Sequence, residues 1–208
     1  MDLGMDIGMD IGMDIVLIRH PAVAVDAGVC YGHSDVPLAD DPTASAAALA
    51  VRLATLQVPP PRVLLSSPLL RCASVAVALA GDFGCALSVD ERLQEMNFGV
   101  WELQRWDAID RAALDDWAAH FEHARAHGGE SVAQFVARVQ AWFDAFGQTR
   151  ECSPAYVVTH AGVIRVIASL ALGVPVARST EWSLDMSGVV WLRRDDERLV
   201  WSLVRWNV

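Results

Sequence analysis

Asp14-Ile15-Val16-Leu17-Ile18-Arg19-His20-Pro21 is the stretch whose reading decides the fold. A short apolar run ends on an Arg-His pair and then enters a turn. Far downstream, Tyr156-Val157-Val158-Thr159-His160-Ala161-Gly162 repeats the arrangement: an apolar run, a histidine, then small residues. In open α/β sheets the carboxyl ends of the strands converge on one crevice, so the two histidines are expected to meet in one pocket.

Between and beyond them the pattern alternates. Strands are predicted at Asp14 to Ile18, Val63 to Leu65, Ala86 to Val89 and Tyr156 to Thr159. Helices are predicted over Thr43 to Leu56, over Ser67 to about Ala80 with Ser67 as N-cap and Pro68 in the first turn, and from His160 to about Leu172. Val25 to Asp40, with Gly28, Gly32 and Pro37, reads as a loop. Trp106 to His127 and Ser131 to Phe146 read as two helices joined by Gly128-Gly129, within a helical cap over 96–150. Ser187 to Leu192 and Leu199 to Trp206 read as a hairpin around Asp195-Asp196-Glu197. The expected architecture is α/β: a three-layer sandwich with a mainly parallel sheet, an antiparallel edge and the cap as an insertion. Residues 1–13, a Met-Asp-Leu/Ile-Gly repeat, are expected to be a disordered leader ahead of a single domain over 14–208.

Composition excludes several functions. The chain has 208 residues, 53% hydrophobic and 20% charged, as a globular domain of ordinary size would. No apolar run reaches the roughly 18 residues of a membrane helix, and no basic segment precedes an apolar core at the amino terminus, so a cytoplasmic location is expected. Cys30, Cys72, Cys85 and Cys152 are too scattered for a metal-ligand pattern and are expected to be reduced. A net charge of −10 argues against nucleic acid as a partner. All 16 basic residues are arginine, which removes lysine-dependent P-loop and Schiff-base chemistry. Arginine forks remain good phosphate ligands when focused in a cleft.

Metal-free phosphoryl transfer needs a nucleophile, donors for the phosphoryl oxygens and an acid for the leaving oxygen. His20 can serve as nucleophile if its ring is neutral, and a neighbouring Arg19 favours that form. Arg71, in the first turn of its helix, sits where backbone N–H groups already favour an anion. His160, next to a dianion, is expected to be protonated and to donate. Glu95, in Leu93-Gln94-Glu95-Met96-Asn97-Phe98-Gly99, is the candidate acid in apolar surroundings, with Glu102 as its competitor. Each residue taken alone also has a plain reading: a satisfied strand-end histidine, a surface arginine, a core histidine.

Six segments in order resemble the histidine phosphatase superfamily: 17–20, 31–38, 66–71, 95–102, 128–131 and 158–165. The resemblance implies a transient phosphohistidine at His20 and a phosphate pocket made of Arg19, Arg71 and His160. It also implies Glu95 as proton donor and then water activator, with no metal and no other cofactor. His33, Ser34 and Ala161 are further expected substrate contacts. The sequence departs from the family at Pro21, where glycine is common, at Ala22-Val23, where an acid-threonine pair is common, and at Asp26, where asparagine is frequent. Proline favours an extended His20 and removes a backbone donor.

The expected partner is a small-molecule phosphomonoester, with no membrane partner, and a homodimer stays open. Similarity to α-ribazole phosphatases makes α-ribazole 5′-phosphate the first substrate reading, with cobalamin assembly as its setting. Mutase-type transfer and a catalytically silent phosphate-binding domain are the alternatives. Trp101, Trp106 and Trp117 read either as core or as an aromatic wall for a heterocycle. His120, His123 and His127 fall at i, i+3 and i+7, a spacing that on one helix would let them share a metal.

Overall fold

A computed structural model describes residues 12–149 and 153–208. Among these residues six strands form one sheet: β1 (Gly12–Arg19), β2 (Val63–Ser66), β3 (Ala86–Val89), β4 (Ala155–Thr159), β5 (Val189–Asp195) and β6 (Val200–Arg205). Their order is β3-β2-β4-β1-β5-β6. The first four run parallel, and the β5–β6 hairpin adds an antiparallel edge against β1.

Side chains of β1 alternate faces, as pleating requires. Met13, Ile15 and Leu17 enter one core with Val157, Val190 and Leu192. Val16 and Ile18 enter the other with Leu64, Tyr156 and Val158. α1 (Pro42–Thr55) and α2 (Leu70–Phe83) cover the second face through Leu49, Leu53, Val75 and Leu79. α4 (Val132–Gly147) and α5 (Ala161–Leu172) cover the first through Phe135, Val139, Trp142, Ile164 and Ile167. That completes the three layers. α3 (Arg111–Ala119) and the short α6 (Val176–Ser179) lie outside them in sequence terms, flanking α4 and α5.

Several expectations on boundaries are corrected. β1 takes in Gly12 and Met13, which the sequence reading left in the leader. Met13 is only 2% exposed, and Gly12 pairs with Asp195. The rest of the expected leader, residues 1–11, lies outside the described residues.

α2 starts at Leu70, not at Ser67. The Ser67 amide continues the sheet by donating to the Val158 carbonyl (3.0 Å), and Leu69 stays extended with ψ 135°. The expected helix over Trp106 to His127 breaks into a 3-10 turn (Trp106–Ala108), α3 capped by Asp110, and turns up to Gly129. α4 carries a capping box between Ser131 and Gln134 and belongs to the sheet's helix layer, so the covering segment is shorter than 96–150. β5 begins at Val189 because Ser187 has φ +59° and makes a turn.

Candidate active site

The parallel strands deliver three side chains to one place. Arg19 closes β1 opposite Thr159, the last residue of β4, and Val158 lies opposite Ser66, the last residue of β2. The next residues, His20, His160 and Ser67, therefore emerge side by side, as strand carboxyl ends in a parallel sheet do. The His20 and His160 rings stand 5.3 Å apart between centroids.

His20 is 2% exposed, and its Nδ1 lies 2.8 Å from the Pro21 carbonyl oxygen. A carbonyl can only accept, so Nδ1 carries the proton and Nε2 keeps its lone pair. Burial pushes the ring down to about 3, the Pro21 bond opposes that, and the charges of Arg71 and Arg19 lower it further. The arginine effect expected from sequence is present, but desolvation is the larger cause.

Arg71 is fully buried. Its Nη1 donates to the Ser34 carbonyl (2.7 Å), its Nη2 to the Gly32 carbonyl (2.6 Å), and its Nε to His160 Nδ1 (3.3 Å). A guanidinium has no acceptor, so His160 must accept at Nδ1 and donate from Nε2 to Ser67 Oγ, 2.8 Å away. His160 is thus neutral in this arrangement: burial first, and Arg71 next, hold it well below the usual imidazole range. The expected imidazolium requires the two negative charges of a phosphoryl group to offset Arg71.

Glu95 lies between two amides. Met96 N donates to Oε1 (3.0 Å) and Gly162 N to Oε2 (3.0 Å). A Cβ on Gly162 would stand 2.2 Å from Oε1, so only glycine lets α5 approach this carboxylate. The loop carrying Glu95 is held from behind. Arg138 donates to the carbonyls of Arg92, Gln94 and Glu95 and forms a two-pronged pair with Glu130 at 2.8 Å. The Gly-Gly-Glu-Ser segment is therefore a buttress for the acid loop. A Cβ on Gly129 would come 2.1 Å from the Asn97 carbonyl.

Glu102, the competing candidate acid, follows the 3-10 turn Gly99–Trp101 as its C-cap. Its carboxylate accepts from the His33 amide, the Ser34 hydroxyl and the Phe98 amide. It ties the 32–34 loop to the acid loop.

Arg19, His20, Tyr31 and Glu95 line a cavity of about 430 Å³, together with Ala161 and Gly162 at the start of α5. Arg71 and His160 are fully buried behind His20. Ser34 directs its hydroxyl to Glu102, and neither it nor His33 is on the cavity wall. Asp35 Oδ1 accepts from the Leu70 amide (2.6 Å), occupying part of the helix terminus that the sequence reading reserved for an anion.

Arg165 is on the wall and was missed. It donates from Nε and Nη2 to the Trp182 carbonyl and lies near Arg19 and Glu95. Helical spacing from Ala161 was the available signal: 161, 162, 165 and 166 share the cavity face.

The three cap histidines do not share a helix face. His120 is the C-cap of α3, paired with Asp116, and His123 follows in a turn. His127 is buried beside the Trp101 ring, with Nδ1 accepting from Gly129 N (3.0 Å). Among the described residues no cluster of His, Cys, Asp or Glu forms a metal site. Cys30, Cys72 and Cys85 are free, and Cys152 lies outside the described residues. No described helix is long and apolar enough to cross a membrane.

Two buried neutral histidines give a pH signature. The folded-state values of His20 and His160 are depressed, while an unfolded imidazole titrates near 6.5. Below that value the unfolded chain binds protons that the folded one refuses, so stability present above about pH 6.5 is lost as pH falls toward 3. Between pH 7.5 and 5.5 the two together should cost about 3 kcal/mol. Urea midpoints measured at both values check this; equal stability would mean that both rings take up protons in the fold as they do in the unfolded chain.

Residues 15–208 match the histidine phosphatase superfamily (branch 1). The chain belongs to that superfamily and is an enzyme of the phosphatase class. A glucosyl-3-phosphoglycerate phosphatase of Mycolicibacterium vanbaalenii is 30% identical, over 93% of this chain and 92% of the relative. The solved mycobacterial glucosyl-3-phosphoglycerate phosphatase with inorganic phosphate superposes with a TM-score of 0.78 at 26% identity, covering 94% of this chain and 97% of that one. The α-ribazole phosphatase of Shigella flexneri superposes with a TM-score of 0.82 at 23% identity, over 94% and 96%, a likeness of fold.

Proposed function

We propose that the protein is a metal-independent phosphomonoesterase acting through a phosphohistidine at His20 on a small phosphorylated metabolite. One observation carries this reading. His20, its Nδ1 proton held by Pro21, keeps Nε2 unprotonated at the rim of a cavity that also presents Arg19 and Glu95. Nε2 attacks phosphorus, and the bond to the leaving oxygen breaks as the Glu95 carboxyl supplies that oxygen with a proton. Water then attacks the phosphohistidine, the Glu95 carboxylate takes a proton from it, and inorganic phosphate leaves. Arg19 and Arg71 balance the phosphoryl charge, and His160, once protonated, donates to it.

α-Ribazole 5′-phosphate is the first substrate to test, supported by the aromatic residues lining the cavity and by the likeness of fold. Glucosyl-3-phosphoglycerate is a second reading, favoured by the 30% identity over 93% of the chain. Both belong in one phosphomonoester panel ranked by kcat/KM, with p-nitrophenyl phosphate as reference and EDTA in a parallel series. Turnover that persists in EDTA is the expected result. Turnover abolished by EDTA and restored by a divalent metal would overturn the metal-free reading, and binding without turnover would leave a silent ligand-binding domain.

A further inference from the structure

The cavity wall is of two chemical kinds. One set is His20, Arg19, Glu95 and Arg165; the other is Phe98, Trp106, Trp117 and Phe121 of the covering segment, with Phe135 of α4 and Val176 of α6. The covering rings pack edge to face: Phe98 on Trp106 at 5.4 Å and 89°, and Trp117 on Phe121 at 5.4 Å and 70°. Trp106 remains 37% exposed and lines the cavity.

On the same wall Ser179 donates its hydroxyl proton to the Val176 carbonyl (2.7 Å) and Thr180 donates to the Ala177 carbonyl (2.8 Å), so both hydroxyl protons are committed to backbone. A sugar or polyol seated against the rings would give up water contacts that ring faces and edges cannot replace, which is costly. A flat ring would gain apolar burial and edge-to-face contacts of the kind the wall makes with itself.

We propose that this cavity selects phosphomonoesters whose alcohol carries a flat aromatic or heteroaromatic body, seated against Trp106, Trp117 and Phe121. The inference rests on the phosphatase reading of His20 and narrows it to a substrate class. Trp106, Trp117 and Phe121 are the specificity-determining side chains; the reacting atoms stay with His20 and Glu95.

The test compares two primary-alkyl esters with similar leaving oxygens, naphthalen-2-ylmethyl phosphate and glycerol 3-phosphate. Wild-type enzyme should favour the first by at least about tenfold in kcat/KM, within the range a hydrophobic pocket discriminates. Trp106→Ala should shrink that ratio by about tenfold, mainly through KM. Phe121→Ser, checked for folding by circular dichroism, should act in the same direction and covers the case in which the first variant fails to fold. Equal or reversed preference in the wild type, with turnover still lost in His20→Ala, overturns the aromatic selection and leaves the phosphatase standing. Turnover of both esters that survives His20→Ala, or no turnover of either, removes the phosphatase reading and this inference with it.

Discussion

His20→Ala lowers kcat for any phosphomonoester by a factor on the order of 10⁴ or more, the scale on which enzymes lose covalent chemistry with their nucleophile. Alanine removes the Nε2 lone pair left free beside the cavity when Nδ1 donates to Pro21. Protein stability should move in the opposite direction below neutrality. The ring is 2% exposed and resists protonation down to about 3, so its removal erases one source of acid sensitivity. The variant should therefore be inactive at pH 5.5 yet lose less stability on going there from pH 7.5 than the wild type does. For the same reason, nucleophile protonation should not set the acid limb of the wild-type rate profile above about pH 4. Activity of the variant within tenfold of wild type would place the nucleophile elsewhere.

Gly162→Ala is expected to have the second largest effect, on the acid rather than the nucleophile. The added methyl would fall 2.2 Å from Glu95 Oε1, closer than a Cβ packs, so the carboxylate or the helix must shift. Either the carboxylate swings away and loses the Gly162 amide, or the start of α5 moves and carries Ala161 and His160 with it. With an alkyl leaving group, which needs a proton, kcat should fall on the order of 10² to 10³-fold. With p-nitrophenol as leaving group, which needs little help, the fall should be smaller by at least about tenfold. Glu95→Gln should reproduce the same asymmetry without moving the backbone. Equal losses for both leaving groups in both variants would assign the proton to another residue.

The parts of this architecture legible in the sequence are those set by local chemistry. β1 and β4 could be read because each is an uninterrupted apolar run that stops on a polar residue, and the sheet then places those stops level with one another. α4 could be read from Ser131 and the apolar spacing behind it, and α5 from the small residues after His160. His20, Arg71, Glu95 and His160 followed from the chemistry a phosphoryl site requires.

What stayed hidden depends on tertiary contacts. The stretch from Trp106 to His127 is rich in helix formers, yet it breaks where Trp106 and Trp117 each pack edge to face against both Phe98 and Trp101. Ser67 looked like a cap because nothing local reveals that its amide completes a sheet bond to Val158. Glu102 and Glu130 are ordinary surface acids by composition. Only the fold shows one clamping the 32–34 loop and the other bracing Arg138 behind the acid loop. Arg165 was visible as a charge on an apolar helix, but its place on the cavity wall requires knowing which face of α5 turns inward.

The most direct test of the central claim is rapid quenching in alkaline detergent during turnover of a ³²P-labelled phosphomonoester, followed by peptide mapping at alkaline pH. The site described here predicts an acid-labile, alkali-stable phosphoryl group on the peptide containing His20, absent in His20→Ala. Label on any other residue, or burst-free turnover with no enzyme-bound phosphoryl group at any quench time, would contradict it.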